Sequence, residues 1–164
     1  MSASAYTFNN LFFEATRRCN LACPMCMASS NDEERVARSQ RDELSTEEIE
    51  RHVLASARDI GVETITWSGG EFILRSDAVE LIRLASEYGY SSIVATNGTR
   101  MDRAALSELD RAADGSLVVA VGINSIDEQN RHTRDADCDV ALEVLDLCEE
   151  LDIRRNVVVT IGQH

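Results

Sequence analysis

The chain contains no lysine. All 16 of its basic residues are arginine, set against 29 acidic ones, and the formal net charge is −13. A surface for nucleic acid needs a basic stripe, and none is visible, which argues against a nucleic-acid partner. An acidic, lysine-free composition suits a salt-rich cytosol or a GC-rich genome. Proline is almost absent too, with Pro24 standing alone, and histidine is limited to three residues. Long apolar runs are missing: "LVVAVGI" and "NVVVTI" fall far short of the ~20 residues that span a bilayer. The N-terminal "MSASAYTFNN" lacks a basic region followed by an apolar run, so no secretion signal and no membrane association are expected. The expected location is cytoplasmic. What remains is 164 residues at 44% hydrophobic, enough to bury one real core and too few for two comfortable domains.

Short apolar segments alternate with segments of helical spacing. The strand candidates are residues 10–16, 63–68, 91–96, 117–124 and 156–162. Between them run apolar stripes: Ile49, Val53, Leu54, Ala57 and Ile60; Val79, Ile82 and Ala85; Ala105, Leu106 and Leu109; Ala141, Leu142, Leu145, Cys148 and Leu151. "STEE" at 45–48 has the form of a capping box. Residues 28–43 are polar and read as a long loop. Five strands and four helices in alternation predict an α/β fold with a parallel sheet.

Three of the five cysteines, Cys19, Cys23 and Cys26, crowd into "CNLACPMC" directly after the first strand. That position is the carboxyl end of a parallel strand, where ligand sites form in such folds. Clustered free thiols in a cytosolic chain point to metal or redox chemistry rather than to a structural disulfide. Three thiolates on an iron–sulfur cube leave one of its four irons open. Zinc would want a fourth ligand, and His52, His132 and His164 show no metal-ligand spacing. "CPMC" also has the form of a thioredoxin-type dithiol, but that fold presents a second, cis proline, and Pro24 has no companion. Cys148 sits on an apolar stripe and reads as a buried structural thiol; Cys138 reads as incidental.

The Cys-x3-Cys-x2-Cys spacing after a first strand resembles the radical S-adenosylmethionine (radical SAM) superfamily. "RRCNLACPMC" is most similar to the branch of molybdenum-cofactor cyclases and SPASM-type peptide-modifying enzymes. Three further motifs fall where that family would place them. "WSGGEF" (67–72) resembles the Gly-Gly-Glu that binds the SAM amino group, with Phe72 where the family usually has proline. "ATNGT" (95–99) resembles a segment near the SAM pocket. "AVGINSIDEQNRHTRD" (120–135) resembles the end of the fourth strand, with Gly122 at a serine position and Asn124 at an aspartate position.

The resemblance implies a partial, TIM-like (β/α) barrel whose chain supplies about five βα units as one core domain, 1–164, without the sixth strand. It implies a 4Fe–4S cluster on Cys19, Cys23 and Cys26. It implies SAM against Gly69, Gly70, Glu71, Thr96, Asn97 and Asn124. The implied chemistry is reductive cleavage of SAM to a 5′-deoxyadenosyl radical that takes hydrogen from a peptide or small molecule. An electron donor such as flavodoxin or ferredoxin is implied with it, and an open sheet edge invites a partner chain. A second reading is a non-catalytic iron–sulfur or SAM-binding module. Ser125, Arg131, His132 and Arg134 read as solvated loop residues, and Glu14 as pointing into the barrel.

Overall fold

In the computed structural model, residues 8–30, 32, 34, 36, 37 and 42–161 are described. Most of the polar segment 31–41 and the end of the chain, His164 included, lie outside them. Five parallel strands pair in the order of the sequence: β1 (Asn10–Thr16), β2 (Thr64–Gly69), β3 (Ser91–Thr96), β4 (Val118–Gly122) and β5 (Arg154–Val158). The order never reverses, so helices gather on one face and the other face stays free to enclose a cavity. This is the wall of a barrel, the architecture expected from the sequence.

The helices are α1 (Thr46–Ile49), α2 (Ala55–Asp59), α3 (Ala78–Glu87), α4 (Arg103–Ala112), α5 (Gln129–Arg134) and α6 (Cys138–Glu150), with a 3-10 turn at Phe72–Leu74. A π-helical stretch, Glu50–Leu54, joins α1 to α2 without a break. The capping box is formed: Glu48 N–H donates to Ser45 Oγ and Ser45 N–H to Glu48 Oε2. No helix among the described residues is long and apolar enough to cross a membrane.

β3 shows how strand alternation divides the two faces. Ser92, Val94 and Thr96 are buried, while Ile93 and Ala95 face the cavity. The core lies beneath the helices and is built on Trp67. Its ring stacks on Phe72 at 5.2 Å, meets Phe13 edge-on at 6.0 Å, and donates Nε1–H to Ser92 Oγ at 3.1 Å. Phe72 is fully buried there, which explains a bulky aromatic at a position where a proline would leave a void.

Several boundaries differ from the periodicity. β5 begins two residues earlier than the apolar run, because an edge strand admits polar residues. Arg154 reaches Ser116 O at 2.7 Å and Arg155 reaches Glu149 at 2.6 Å. Ile60 is 46% exposed because the chain turns away after Asp59, and Val62 takes its place in the core. α5 was not expected: it is polar all round and carries no apolar stripe. It is fixed instead by the buried carboxamide of Asn130, which accepts from Asn124 N–H at 2.9 Å and donates to Ala136 O at 2.9 Å.

On α6 the core stripe is Ala141, Val144 and Cys148, whereas Leu142 stands 37% exposed. Val144→Ala is therefore expected to destabilise by about 2 kcal/mol, from lost methyls and the space they leave. Leu142→Ala should lower stability by less than about 1 kcal/mol. Urea denaturation of the two variants checks the order.

Candidate functional site

The cavity has a volume of about 640 Å³ and opens at the carboxyl ends of the strands. Cys19, Cys23 and Cys26 line one end of it. Gly69, Gly70, Thr96, Asn97 and Gly122 line it too, and Glu14 and Phe12 project into it from β1. Asn124 does not. It lies past the end of β4, and its carboxamide is spent on Thr160 N–H (3.0 Å), Thr133 Oγ1 (3.1 Å) and Arg134 Nη1 (3.3 Å). Its own lining is that of a smaller pocket with Ser125 and Gln129.

The loop that carries the cysteines has almost no regular structure, so its position is fixed by three outside contacts. The first comes from β2. Gly70 N–H donates to Thr16 O and Glu71 N–H to Arg18 O, both at 2.7 Å. This approach demands glycine: a Cβ on Gly69 would stand 2.0 Å from Thr16 O, and one on Gly70 would stand 2.1 Å from Arg18 O. Gly69 also has φ +120°, a conformation only glycine adopts freely. The two glycines thus admit the cysteine loop's own backbone, besides lining the cavity.

The second contact comes from β3, where Asn97 Nδ2 reaches Asn20 Oδ1 at 3.1 Å and Asn20 Nδ2 reaches Thr99 Oγ1 at 2.7 Å. The third comes from the α5–α6 link. Asp135, in a left-handed conformation, accepts from Ala22 N–H at 3.0 Å, and Cys23 Sγ lies 3.0 Å from Arg134 O. Beneath the loop, Arg75 ties three segments together. It donates to Ala15 O at 2.8 Å, to Leu44 O at 3.1 Å, and to Asp77 through Nε and Nη2 at 2.8 and 2.6 Å.

The Glu71 side chain is fully buried and does not reach the cavity. Its carboxyl accepts from Thr96 Oγ1 and from Asn97 N–H, each at 2.7 Å, joining β2 to β3. Burial raises its pKa to about 7 against the pull of those two donors and of Arg134. Arg134, read from the sequence as a loop residue, instead lines the cavity. Its guanidinium lies over Gly122, where a Cβ would stand 1.9 Å from Nη2. A serine there would require the flexible end of the arginine to shift. Asn124 accepts one of its hydrogen bonds, and the guanidinium keeps spare donors beside the cysteines.

The cysteines are free thiols, and burial is the leading cause that raises the pKa values of Cys19 and Cys23, with the charge of Arg134 opposing it at Cys23. Among the described residues no three His, Cys, Asp or Glu side chains converge on a point that one metal ion would fill. Donors also face this end of the cavity. Asn97 Nδ2 stands 3.7 Å from Cys19 Sγ and Ser30 N–H 3.5 Å from Cys26 Sγ. The buried Ser30 hydroxyl, which lines the cavity, has no partner among the described residues. The donor set fits a sulfur-rich cluster. Cys148 is fully buried under the sheet, remote in role from this site, and Cys138 opens α6.

Two measurements follow on the metal-free protein. Gly70→Ala should lower stability by about 3 kcal/mol, because backbone must move. Gly89→Ala, at φ +85° with nothing within 4 Å, should lower it by only about 1 kcal/mol. For Glu71, the folded pKa near 7 exceeds the unfolded value, so the proton favours folding. That contribution is complete below about pH 4 and is lost as pH rises through 7, a span of about 3 kcal/mol. Urea denaturation at pH 5 and pH 7.5 should show the loss in wild type and a flatter dependence in Glu71→Gln.

Residues 13–164 match the Radical SAM superfamily. The chain is 35% identical over 151 residues to the Fe-coproporphyrin III synthase of Methanosarcina barkeri, covering 91% of this chain and 36% of that protein. It is 35% identical over 153 residues to the PqqA peptide cyclase of Bradyrhizobium diazoefficiens, covering 87% and 36%. In fold it is similar to Streptococcus suis SuiB bound to its precursor peptide SuiA, with a TM-score of 0.79 at 17% identity, covering 98% of this chain and 34% of SuiB. The S-adenosylmethionine complex of SuiB superposes with a TM-score of 0.76 at 15% identity, over 98% of this chain and 34% of SuiB. The chain spans about a third of the length of these relatives. With its five-stranded parallel wall and its cysteine loop at the carboxyl end of β1, it belongs to the radical SAM superfamily.

Proposed function

We propose that the chain is part of the core domain of a radical SAM enzyme, with Cys19, Cys23 and Cys26 holding a 4Fe–4S cluster and SAM seated beside it. The observation that carries this is the convergence of three free cysteines, Gly69–Gly70 and the guanidinium of Arg134 on one 640 Å³ cavity. When bound, the cluster supplies one low-potential electron that cleaves SAM to methionine and a 5′-deoxyadenosyl radical, which takes hydrogen from substrate.

The protein's own residues bind and orient. The rims of β2 and β3 hold the methionine end of SAM. Thr96 and Asn97 line its pocket. Arg134 offers a charged fork to the SAM carboxylate, in the space that Gly122 leaves. Phe12, Ile93, Ala95 and Ala120 give the cavity an apolar floor. Metal loading releases protons from Cys19 and Cys23, whose pKa values are raised, so assembly is favoured as pH rises.

The substrate is a peptide or small molecule, as the peptide-binding relatives suggest, and reduction comes from a flavodoxin or ferredoxin in the cytoplasm. β5 is exposed along its whole length, with Val157 and Val158, and Val159 just past its end, each about half exposed. An open parallel edge of this kind is free to pair with a further strand, from the same polypeptide or a partner chain. A second reading is a truncated, non-catalytic iron–sulfur or SAM-binding module that needs a partner chain.

The test is electron paramagnetic resonance of the anaerobically reconstituted, dithionite-reduced protein. A 4Fe–4S signal that changes shape on adding SAM is expected, and a cluster indifferent to SAM would favour the non-catalytic module. Cys19→Ala, Cys23→Ala and Cys26→Ala should each abolish assembly, whereas Cys148→Ala should keep full iron. Arg134→Ala should keep the cluster and weaken SAM binding by about tenfold to a hundredfold, the loss of a charged hydrogen-bonding partner. Production of 5′-deoxyadenosine decides between the enzyme and the module.

A further inference from the structure

We propose that the Asn97 carboxamide is a positioning residue that raises the reduction potential of the cluster by donating a hydrogen bond to the sulfur of Cys19. The inference rests on the cluster assignment above and goes beyond it, because it separates the three thiolates by their surroundings.

The orientation of the carboxamide follows from its partners. Asn97 Oδ1 accepts from Thr99 N–H at 3.0 Å and from Thr99 Oγ1–H at 2.6 Å. A flipped amide would set its NH2 against the Thr99 N–H, donor against donor. The NH2 therefore faces the other way. One hydrogen goes to Asn20 Oδ1 at 3.1 Å, and Cys19 Sγ lies 3.7 Å from the same nitrogen. The backbone beneath it is pinned as well, since Asn97 N–H donates to the buried Glu71 carboxyl at 2.7 Å.

Backbone N–H groups also serve the set, that of Leu21 at Cys19 and that of Cys23 at its own sulfur, so what Asn97 adds at Cys19 is a side-chain donor. Cys26 Sγ has a backbone donor, Ser30 N–H, at 3.5 Å. Cys23 Sγ faces the carbonyl oxygen of Arg134 at 3.0 Å, which has no hydrogen to offer a thiolate. Among the described residues, Asn97 supplies the side-chain amide donor to this set. Reduction adds negative charge to a cluster and its thiolates. A fixed N–H on a ligating sulfur stabilises the reduced state more than the oxidised one, and so raises the potential.

The test is a redox titration, followed by electron paramagnetic resonance, of the reconstituted protein without SAM, so that any part Asn97 plays in the SAM pocket drops out. Wild type is compared with Asn97→Leu, which keeps the volume, and with Asn97→Ala, which avoids crowding. The donor is missing from both. Their midpoints are expected to fall below that of wild type by at least a tenfold change in the reduction equilibrium, 59 mV for a one-electron couple. If one variant fails to assemble, the other decides by the same shift. Midpoints equal to that of wild type would overturn the proposal. So would loss of iron from both variants, since a tuning bond is dispensable for assembly. Wild type without any cluster signal would instead overturn the cluster assignment itself.

Discussion

Two glycines set the constraint on which the site depends. At Gly69 and Gly70 the rim of β2 lies so close to Thr16–Arg18 that any Cβ would overlap a backbone oxygen. The closeness allows two 2.7 Å hydrogen bonds, and these fix the residues immediately before Cys19. A loop with no ladder of its own would otherwise have to be ordered at the full entropic cost of its backbone. Here that cost is offset by contacts from three directions: β2, β3 and the α5–α6 link. The cysteines are presented in one arrangement before any ligand arrives, which is the condition for a site that holds a reactive group without waste of binding energy.

The same motif works on both sides of the sheet. Gly69 and Gly70 touch the cysteine loop and line the cavity. Glu71 turns inward and clasps Thr96 and Asn97. Phe72 drops into the core against Trp67. Arg75 then reaches under β1 to Ala15 and out to Leu44. Seven residues therefore transmit the geometry of the core to the rim. A buried cation such as Arg75 is tolerated because its donors are used on carbonyls and on Asp77, not left bare.

Much of this was legible in the sequence, for a physical reason. Strand residues 10–16 and 91–96 coincide with β1 and β3 because burial on the helix side imposes an apolar run that turn residues end sharply. The cysteine spacing stands out because loops seldom gather thiols by accident. What sequence could not reveal was direction. Asn124 lies at the strand end as spacing suggests, yet past β4 the alternation no longer governs it, and its carboxamide turns to Thr160 and Thr133. Arg134 sits in a polar segment that periodicity cannot distinguish from solvated loop. The one available signal was Gly122, whose missing side chain leaves room for another group.

That exchange carries a consequence for how the cavity meets an anion. A serine hydroxyl on β4 would offer a single neutral hydrogen bond from a fixed strand. Glycine with an arginine laid over it offers a charged fork on a long stem, anchored at one point by Asn124. The fork binds a carboxylate more strongly than a hydroxyl does, because the bond is charge-assisted and can be bidentate. It also carries more rotamer freedom to be lost. The anchor at Asn124 reduces that loss, and Asn124 is itself held by Thr160, just past β5. The guanidinium that lines the cavity beside the cysteines is thus joined, by hydrogen bonds to one carboxamide, to the segment just past β5, a strand whose outer edge has no partner among the described residues.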